Sequence, residues 1–331
     1  MIINLSHVDR LLQQAVPGIC PAVQLVVRQR GQTIATYAYG WLDPETRRPA
    51  ITMDTRFGLA SITKLFVVTA FMTLVEARKV AVDQPVGSLL PAFNGLRPVR
   101  PYEDPLAWDQ FVTIDGPTDP VDAGAITFRQ LLTHGSGLPA WRPLFRETDV
   151  EAARQMALNT FFSYQPDTHV VYSDIGLILL GMAVERLTDR RLDEAVDKLV
   201  IEPLGLEETG YLPIQDGIPS PDIIPTDIAP TEFCNWRNRR IIGQVHDENA
   251  YRLDGIAGHA GIFSTAKDVA RFGQMYLDGG SPLLSNETVA EMTSLQTEER
   301  DVRRGLGFVR WTPVPDARGR SFSEGTFGHT G

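Results

Sequence analysis

The stretch Leu59-Ala60-Ser61-Ile62-Thr63-Lys64-Leu65-Phe66-Val67-Val68 sets a serine and a lysine three residues apart at the head of an apolar run. At that spacing on a helix the two side chains share one face. Phe66, Val67, Val68, Ala70, Phe71, Met72, Leu74 and Val75 are apolar nearly all round, which predicts a buried helix. A buried lysine is costly unless it is neutral or paired, and a helix N-terminus disfavours its cation further. Both effects push the ammonium toward the free amine, which can take a proton from a neighbouring hydroxyl. On that reading Ser61 is an activated nucleophile. On the other, Ser61 caps the helix and Lys64 snorkels to water. Ser-x-x-Lys alone does not choose between them, because it recurs by chance.

Two further segments bear on the choice. Val170-Val171-Tyr172-Ser173-Asp174-Ile175-Gly176 precedes a second apolar helix, Leu177 to Leu187. Phe327-Gly328-His329-Thr330-Gly331 reads as a short strand. Ser-x-x-Lys, a variant of Tyr-x-Asn, and His-Thr-Gly in place of Lys-Thr-Gly, in that order, resemble the serine β-lactamase and penicillin-binding-protein superfamily, in a class C-like form. Gln130 to Pro139 (QLLTHGSGLP) and Gly255 to Thr265 (GIAGHAGIFST) look like the same family. Val245-His246-Asp247-Glu248-Asn249-Ala250 leans toward its esterase and D-peptidase-like branch. The resemblance runs from about Pro21 to Gly331.

The resemblance implies an α/β fold of the α+β type. An antiparallel sheet with flanking helices is built from residues 1–59 and 266–331, and a mainly helical lobe, 60–265, is inserted between them. Together they form one two-lobed catalytic domain. It also implies roles. Ser61 attacks a carbonyl, Lys64 accepts its proton, and Tyr172 shares that task or protonates the leaving group. Asp174, His329, Thr330 and Gly331 bind substrate. In relatives the second oxyanion donor is the N–H directly after the Thr-Gly pair, followed by further strands and a helix. The expectation is therefore a domain without its C-terminal end, poorly active and prone to aggregate through unpaired strand edges.

Two positions depart from the family pattern. Asp174 stands where asparagine is usual, and a carboxylate near Lys64 favours the ammonium and opposes its use as a base. Aspartate also suits the N-cap of the helix that follows. His329 stands where many relatives carry lysine, and histidine is only partly charged near pH 7. Both lean away from strong β-lactamase activity and toward esters, amides or D-amino-acid peptides. The other reading is a non-catalytic relative that binds peptides, or an inactive truncated product.

Composition sets the remaining bounds. With 331 residues the chain is one large or two ordinary domains, and a formal net charge of −10 argues against a nucleic-acid partner. The partner expected is a small-molecule or peptide substrate, with no cofactor. No uncharged apolar run reaches membrane-spanning length. The first residues lack a basic segment followed by an apolar one, so the chain as written is expected in the cytoplasm, and outside it where the N-terminus is processed or longer. Cys20 and Cys234 read as two reduced thiols. His134, His246, Asp247, Glu248 and His259 do not match zinc spacing, so no metal is expected.

Along the chain, a short amphipathic helix is followed by a hairpin, Val23–Arg28 and Thr33–Tyr39, around Gln29-Arg30-Gly31-Gln32. Residues 85–124 and 212–228 read as irregular excursions. Thr127-Phe128-Arg129-Gln130 and Thr265-Ala266-Lys267-Asp268 are capping-box patterns, the second opening a helix that stops at Gly279-Gly280. Leu306–Trp311 and Ser321–His329 are strand candidates.

Overall fold

A computed structural model describes residues 4–215, 218–219, 228–311, 322–323 and 325–331. Helix α1 (Ser6–Ala15) leads into strands β1 (Ala22–Gln29) and β2 (Gln32–Gly40), an antiparallel hairpin. Its turn places Arg30 at φ 51° and Gly31 at φ 77°. Two positive angles in succession match the twist of the strands they join. Strand β3 (Phe57–Gly58) and a 3-10 turn over 60–62 then lead into helix α2 (Thr63–Glu76).

The excursion over 85–124 is less irregular than its proline and glycine content suggests. It contains β4 (Leu96–Arg97), β5 (Tyr102–Asp104), β6 (Ala107–Val112) and β7 (Val121–Asp122), paired as β4–β7 and β5–β6. Helix α3 (Phe128–Leu132) opens on the full reciprocal capping box between Thr127 and Gln130. Helices α4 (Val150–Leu158), α5 (Asp174–Thr188), α6 (Leu192–Val196) and α7 (Glu202–Leu204) follow, the last two joined by a π-helical turn over 197–201. Short strands β8 (Gly210–Tyr211), β9 (Ile214–Gln215) and β10 (Ile218–Pro219) occupy part of the second excursion, most of which lies outside the described residues. Then come β11 (Phe233–Cys234), β12 (Arg239–Arg240), α8 (Glu248–Arg252) and β13 (Ile262–Ser264). Helix α9 (Ala266–Leu277) starts with the Thr265 hydroxyl accepting from Asp268 N and stops before Gly279 and Gly280, at φ 79° and 96°. Helix α10 (Asn286–Thr293) and strands β14 (Thr297–Glu299), β15 (Val302–Arg304), β16 (Val309–Arg310) and β17 (Phe327–Gly328) complete the order. Only the ends of the two strand candidates pair, since 306–308 is a turn and Ser321 and Glu324 lie outside the described residues.

Mixed helices and antiparallel sheets match the expected class, with one difference in the sheet. The two ends of the chain do not share one ladder: β1–β2 and β14–β15–β16–β17 are separate sheets among the described residues. No described strand carries hydrogen bonds between them. Helix α9 packs against β1, and a cavity of about 650 Å³ lies between the sheets, lined by Val26, Leu65, Phe272, Tyr276, Phe308 and Phe327 among others.

Helix α2 is the centre of the core. Residues from Phe66 to Met72 are fully enclosed, and α5 packs along it with Leu177 to Val184 almost as completely buried. Phe66 stacks on Phe272 of α9 at 4.1 Å and 10°, and Phe71 meets Phe128 of α3 at 4.8 Å. The one polar break, Thr69, is satisfied by Leu65 O and Tyr276 Oη. Among the described residues no helix is long and apolar enough to cross a membrane. Because Phe66 joins α2 to α9, Phe66→Ala should lower stability by about 3–5 kcal/mol. Urea unfolding is the measurement, and a loss under about 1 kcal/mol would show that this stack is not central.

Candidate active site

Ser61 lies in the turn ahead of α2 rather than in the helix itself, and its side chain caps nothing. Ala60 beside it has φ 45°, a left-handed conformation unusual for a residue with a Cβ. Strand β13 holds this turn. Leu59 N donates to Ile262 O at 2.8 Å, and Ile262 N donates to the buried hydroxyl of Thr63 at 3.1 Å. Gly331 lies against the same turn: a Cβ there would come 2.2 Å from Leu59 O. That close approach explains a glycine at the end of His329-Thr330-Gly331.

Lys64 is 1% exposed, and its ammonium is the meeting point of the site. It donates to Ser61 Oγ at 2.8 Å and to His259 O at 3.2 Å, pairs with Asp174 Oδ1 at 2.7 Å, and lies 4.7 Å from the centre of the Tyr172 ring. Burial pushes this ammonium toward the amine, but Asp174 first and Tyr172 second outweigh it and hold the pKa above the ordinary lysine value. The expected free amine is therefore corrected: Lys64 is a cation. Asp174 is not the helix N-cap either. Ser173 takes that place, its Oγ accepting from Gly176 N, which leaves Asp174 in the first turn of α5 with its carboxylate free for Lys64.

The Tyr172 hydroxyl is buried and makes no hydrogen bond among the described residues. Arg304, on β15, lies 5.3 Å from the ring centre. It is 9% exposed, and its Nε and Nη1 have no hydrogen-bond partner among the described residues. Burial lowers its pKa, yet a guanidinium remains charged in proteins. Arg304 was not anticipated. The surrounding Glu298-Glu299-Arg300-Asp301-Val302-Arg303-Arg304 reads as a solvated charged run, and strand alternation gives no signal, since Val302 two residues before is exposed.

His329 directly follows β17 and packs against Tyr172, ring centres 5.9 Å apart. Burial pushes its pKa down to about 4, Lys64 and Arg304 add to the shift, and the Thr330 carbonyl bonded to Nδ1 only partly opposes it. The expected partial charge at neutral pH is thus corrected to a neutral imidazole.

Of the residues weighed for a metal, His134, His246, Asp247 and His259 have other partners. His134 backs Tyr172 at 4.7 Å. His246 Nδ1 meets Thr231 Oγ1 at 2.7 Å. Asp247 N-caps α8 and bonds His259 Nε2 at 2.8 Å, which holds its pKa at about 2 against the opposing effect of burial. His259 in turn presents its carbonyl to Lys64. Two residues after Asp247, the fully buried Asn249 accepts from Phe145 N and donates to Arg142 O. The segment Val245–Ala250 therefore fastens two loops of the site, a role its sequence did not disclose. Gly258 lets one of them cross α5 closely, because a Cβ there would lie 1.9 Å from Leu177 O.

The structure thus brings Ser61, Lys64, Tyr172, Asp174 and His329-Thr330-Gly331 together from three distant segments. Comparison with known proteins agrees in fold. Three solved structures cover most of the chain. The octameric penicillin-binding protein homologue from Pyrococcus abyssi has TM-score 0.69 and 20% identity over 93% of this chain and 65% of its own. A D-stereospecific amidohydrolase from Streptomyces has TM-score 0.67 and 20% identity over 99% and 87%. EstCE1, a hydrolase with promiscuous acyltransferase activity, has TM-score 0.65 and 23% identity over 95% and 84%. At such identities the likeness concerns fold alone. In sequence, an N-acetylmuramyl-L-alanine amidase of Bacillus subtilis is 31% identical over 99% of this chain and 76% of its own length. A Salmonella typhi protein named "Putative D-alanyl-D-alanine carboxypeptidase" is 29% identical over 99% and 78%. The profile of the β-lactamase family matches residues 8–331, and with the motif residues gathered around one ammonium, the chain belongs to that family of β-lactamase and penicillin-binding-protein-like hydrolases.

Proposed function

We propose that this chain is a serine hydrolase that forms an acyl-enzyme at Ser61, acting on an ester, an amide or a D-amino-acid peptide. The observation that carries the reading is the Lys64 ammonium, which touches Ser61 Oγ, Asp174 and the face of Tyr172 at once. A cation held by Asp174 donates to Ser61 Oγ and stabilises the negative charge that develops there during attack. The proton acceptor is then Tyr172 as its phenolate, compensated by Lys64 and Arg304. As Ser61 Oγ bonds to the substrate carbonyl carbon, its proton moves to Tyr172 Oη. The tetrahedral intermediate collapses, the bond to the leaving alcohol or amine breaks, and that group takes the proton from Tyr172. Water repeats the sequence on the acyl ester, releasing the acid and restoring Ser61.

The names of the relatives (carboxypeptidase, amidase, D-stereospecific amidohydrolase) support acyl substrates of this range. With His329 neutral, a free carboxylate on the substrate has Arg304 as its fixed cation. The usual Lys-Thr-Gly lysine is absent, and Asp174 engages Lys64, so penicillins and cephalosporins are weak substrates in this reading.

Three results test it. A fluorophosphonate should add one adduct to the intact mass of the wild type and none to Ser61→Ala. Lys64→Ala should slow p-nitrophenyl ester turnover at least about a hundredfold. An adduct retained in Ser61→Ala would overturn the nucleophile, and no adduct on the wild type would favour a non-catalytic peptide-binding relative.

The carboxylate assignment makes a separate prediction. Arg304→Gln should raise KM about tenfold or more for a peptide with a free C-terminal carboxylate and leave KM for a neutral ester little changed, while kcat falls for both because Tyr172 loses one of its two cations. Because the pKa of His329 lies near 4, it stays neutral from pH 6 to 8, and the wild-type KM for that peptide should be flat across this range. A KM that climbs steeply as the pH passes 6.5 would return the role to a protonated His329.

A further inference from the structure

His134 takes no part in the chemistry above, yet three of its contacts converge on Tyr172. Its carbonyl accepts from Val171 N at 3.0 Å. Its ring Nδ1 accepts from Ser173 N at 3.0 Å. The ring itself packs on the Tyr172 phenol at 4.7 Å and 44°. We propose that His134 is a positioning residue for Tyr172, gripping the backbone on both sides of the tyrosine and backing its ring.

The inference rests on the reading that Tyr172 relays the Ser61 proton. Since Nδ1 accepts, the ring proton sits on Nε2, and a protonated ring would lose the bond to Ser173 N. Protonation is opposed by burial first, and then by Arg304, Lys64 and His329, which together hold the His134 pKa well below its ordinary value. The same carbonyl also accepts from Tyr164 Oη at 3.0 Å, which fixes the peptide that carries the grip. Ser173 Oγ donates to Pro139 O at 2.7 Å, and Asp174 N donates to Ala140 O at 2.9 Å. The segment 171–174 is thus fastened along its length to the loop that His134 begins. Among the described residues, only His134 hydrogen-bonds both residues flanking Tyr172.

A bland reading is that His134 merely ends α3, since it follows Thr133 at φ 60°. Glycine or asparagine fills such a position without a buried ring. At 2% exposure a histidine must have its polar atoms satisfied, and here the partner of Nδ1 is the residue after Tyr172.

Asparagine separates the two readings. It tolerates positive φ, and its Oδ1 falls near the place of Nδ1. Glutamine carries its acceptor one bond farther out. The experiment measures kcat and KM for a p-nitrophenyl ester in His134→Asn and His134→Gln, each in the wild type and in Tyr172→Phe, with melting temperatures alongside. His134→Asn is expected within about threefold of the wild-type kcat, and His134→Gln about a hundredfold lower with KM unchanged. In Tyr172→Phe, His134→Gln should cause no further loss. Multiplicative losses in that background would overturn the proposal, as would wild-type turnover in His134→Gln or an equal loss in a folded His134→Asn. If His134→Gln fails to fold, His134→Asn in the two backgrounds still decides, because its near-wild-type kcat is required. A wild-type rate in Tyr172→Phe would instead overturn the relay itself, a failure distinct from that of His134.

Discussion

The structure of the site turns on one buried ion pair, Lys64 with Asp174. A lysine at 1% exposure is unfavourable in an apolar helix unless a counter-charge reaches it. Asp174 reaches it because Ser173 takes over the capping of α5, so two adjacent residues divide the tasks of cap and counter-charge. Removing one partner of such a pair typically costs about 3–5 kcal/mol, since the other is left buried and uncompensated. The pair also joins α2 to α5, the two most deeply buried helices. The charge that touches Ser61 is therefore part of what holds the core together.

Around that pair the supports form successive shells. Asp247 holds His259, whose carbonyl holds Lys64. Asn249 on the same short helix holds the loop from Arg142 to Phe145. Strand β13 pins the serine turn through Leu59 and Thr63. All but the Asp247–His259 contact engage a backbone group, which fixes the path of the chain while leaving neighbouring side chains free to vary. Such an arrangement lets the surrounding irregular segments differ while the reacting groups keep their geometry.

Much of this was legible in the sequence. The all-round apolar run after Lys64 announced a buried helix, Thr127 and Gln130 announced a capped start, and Gln29 to Gln32 announced a hairpin turn. Ser61, Lys64 and Tyr172 were identifiable from motif order. The sign of Asp174's effect was also readable, though not its distance. What was not legible depends on tertiary burial. His329 looks partly charged until its burial beside Lys64 and Arg304 is known. Arg304 hides in a run of seven residues of which six are charged, and only its strand pairing turns it inward.

His259 lies 195 residues beyond Lys64, and Arg304 farther still. A chain emerging from the ribosome therefore carries its serine well ahead of the groups that orient the lysine. Until then Ser61 is an ordinary alcohol beside a solvated ammonium. On the reading proposed above, the nascent polypeptide is silent toward the esters and amides around it, and reactivity waits until these later segments dock.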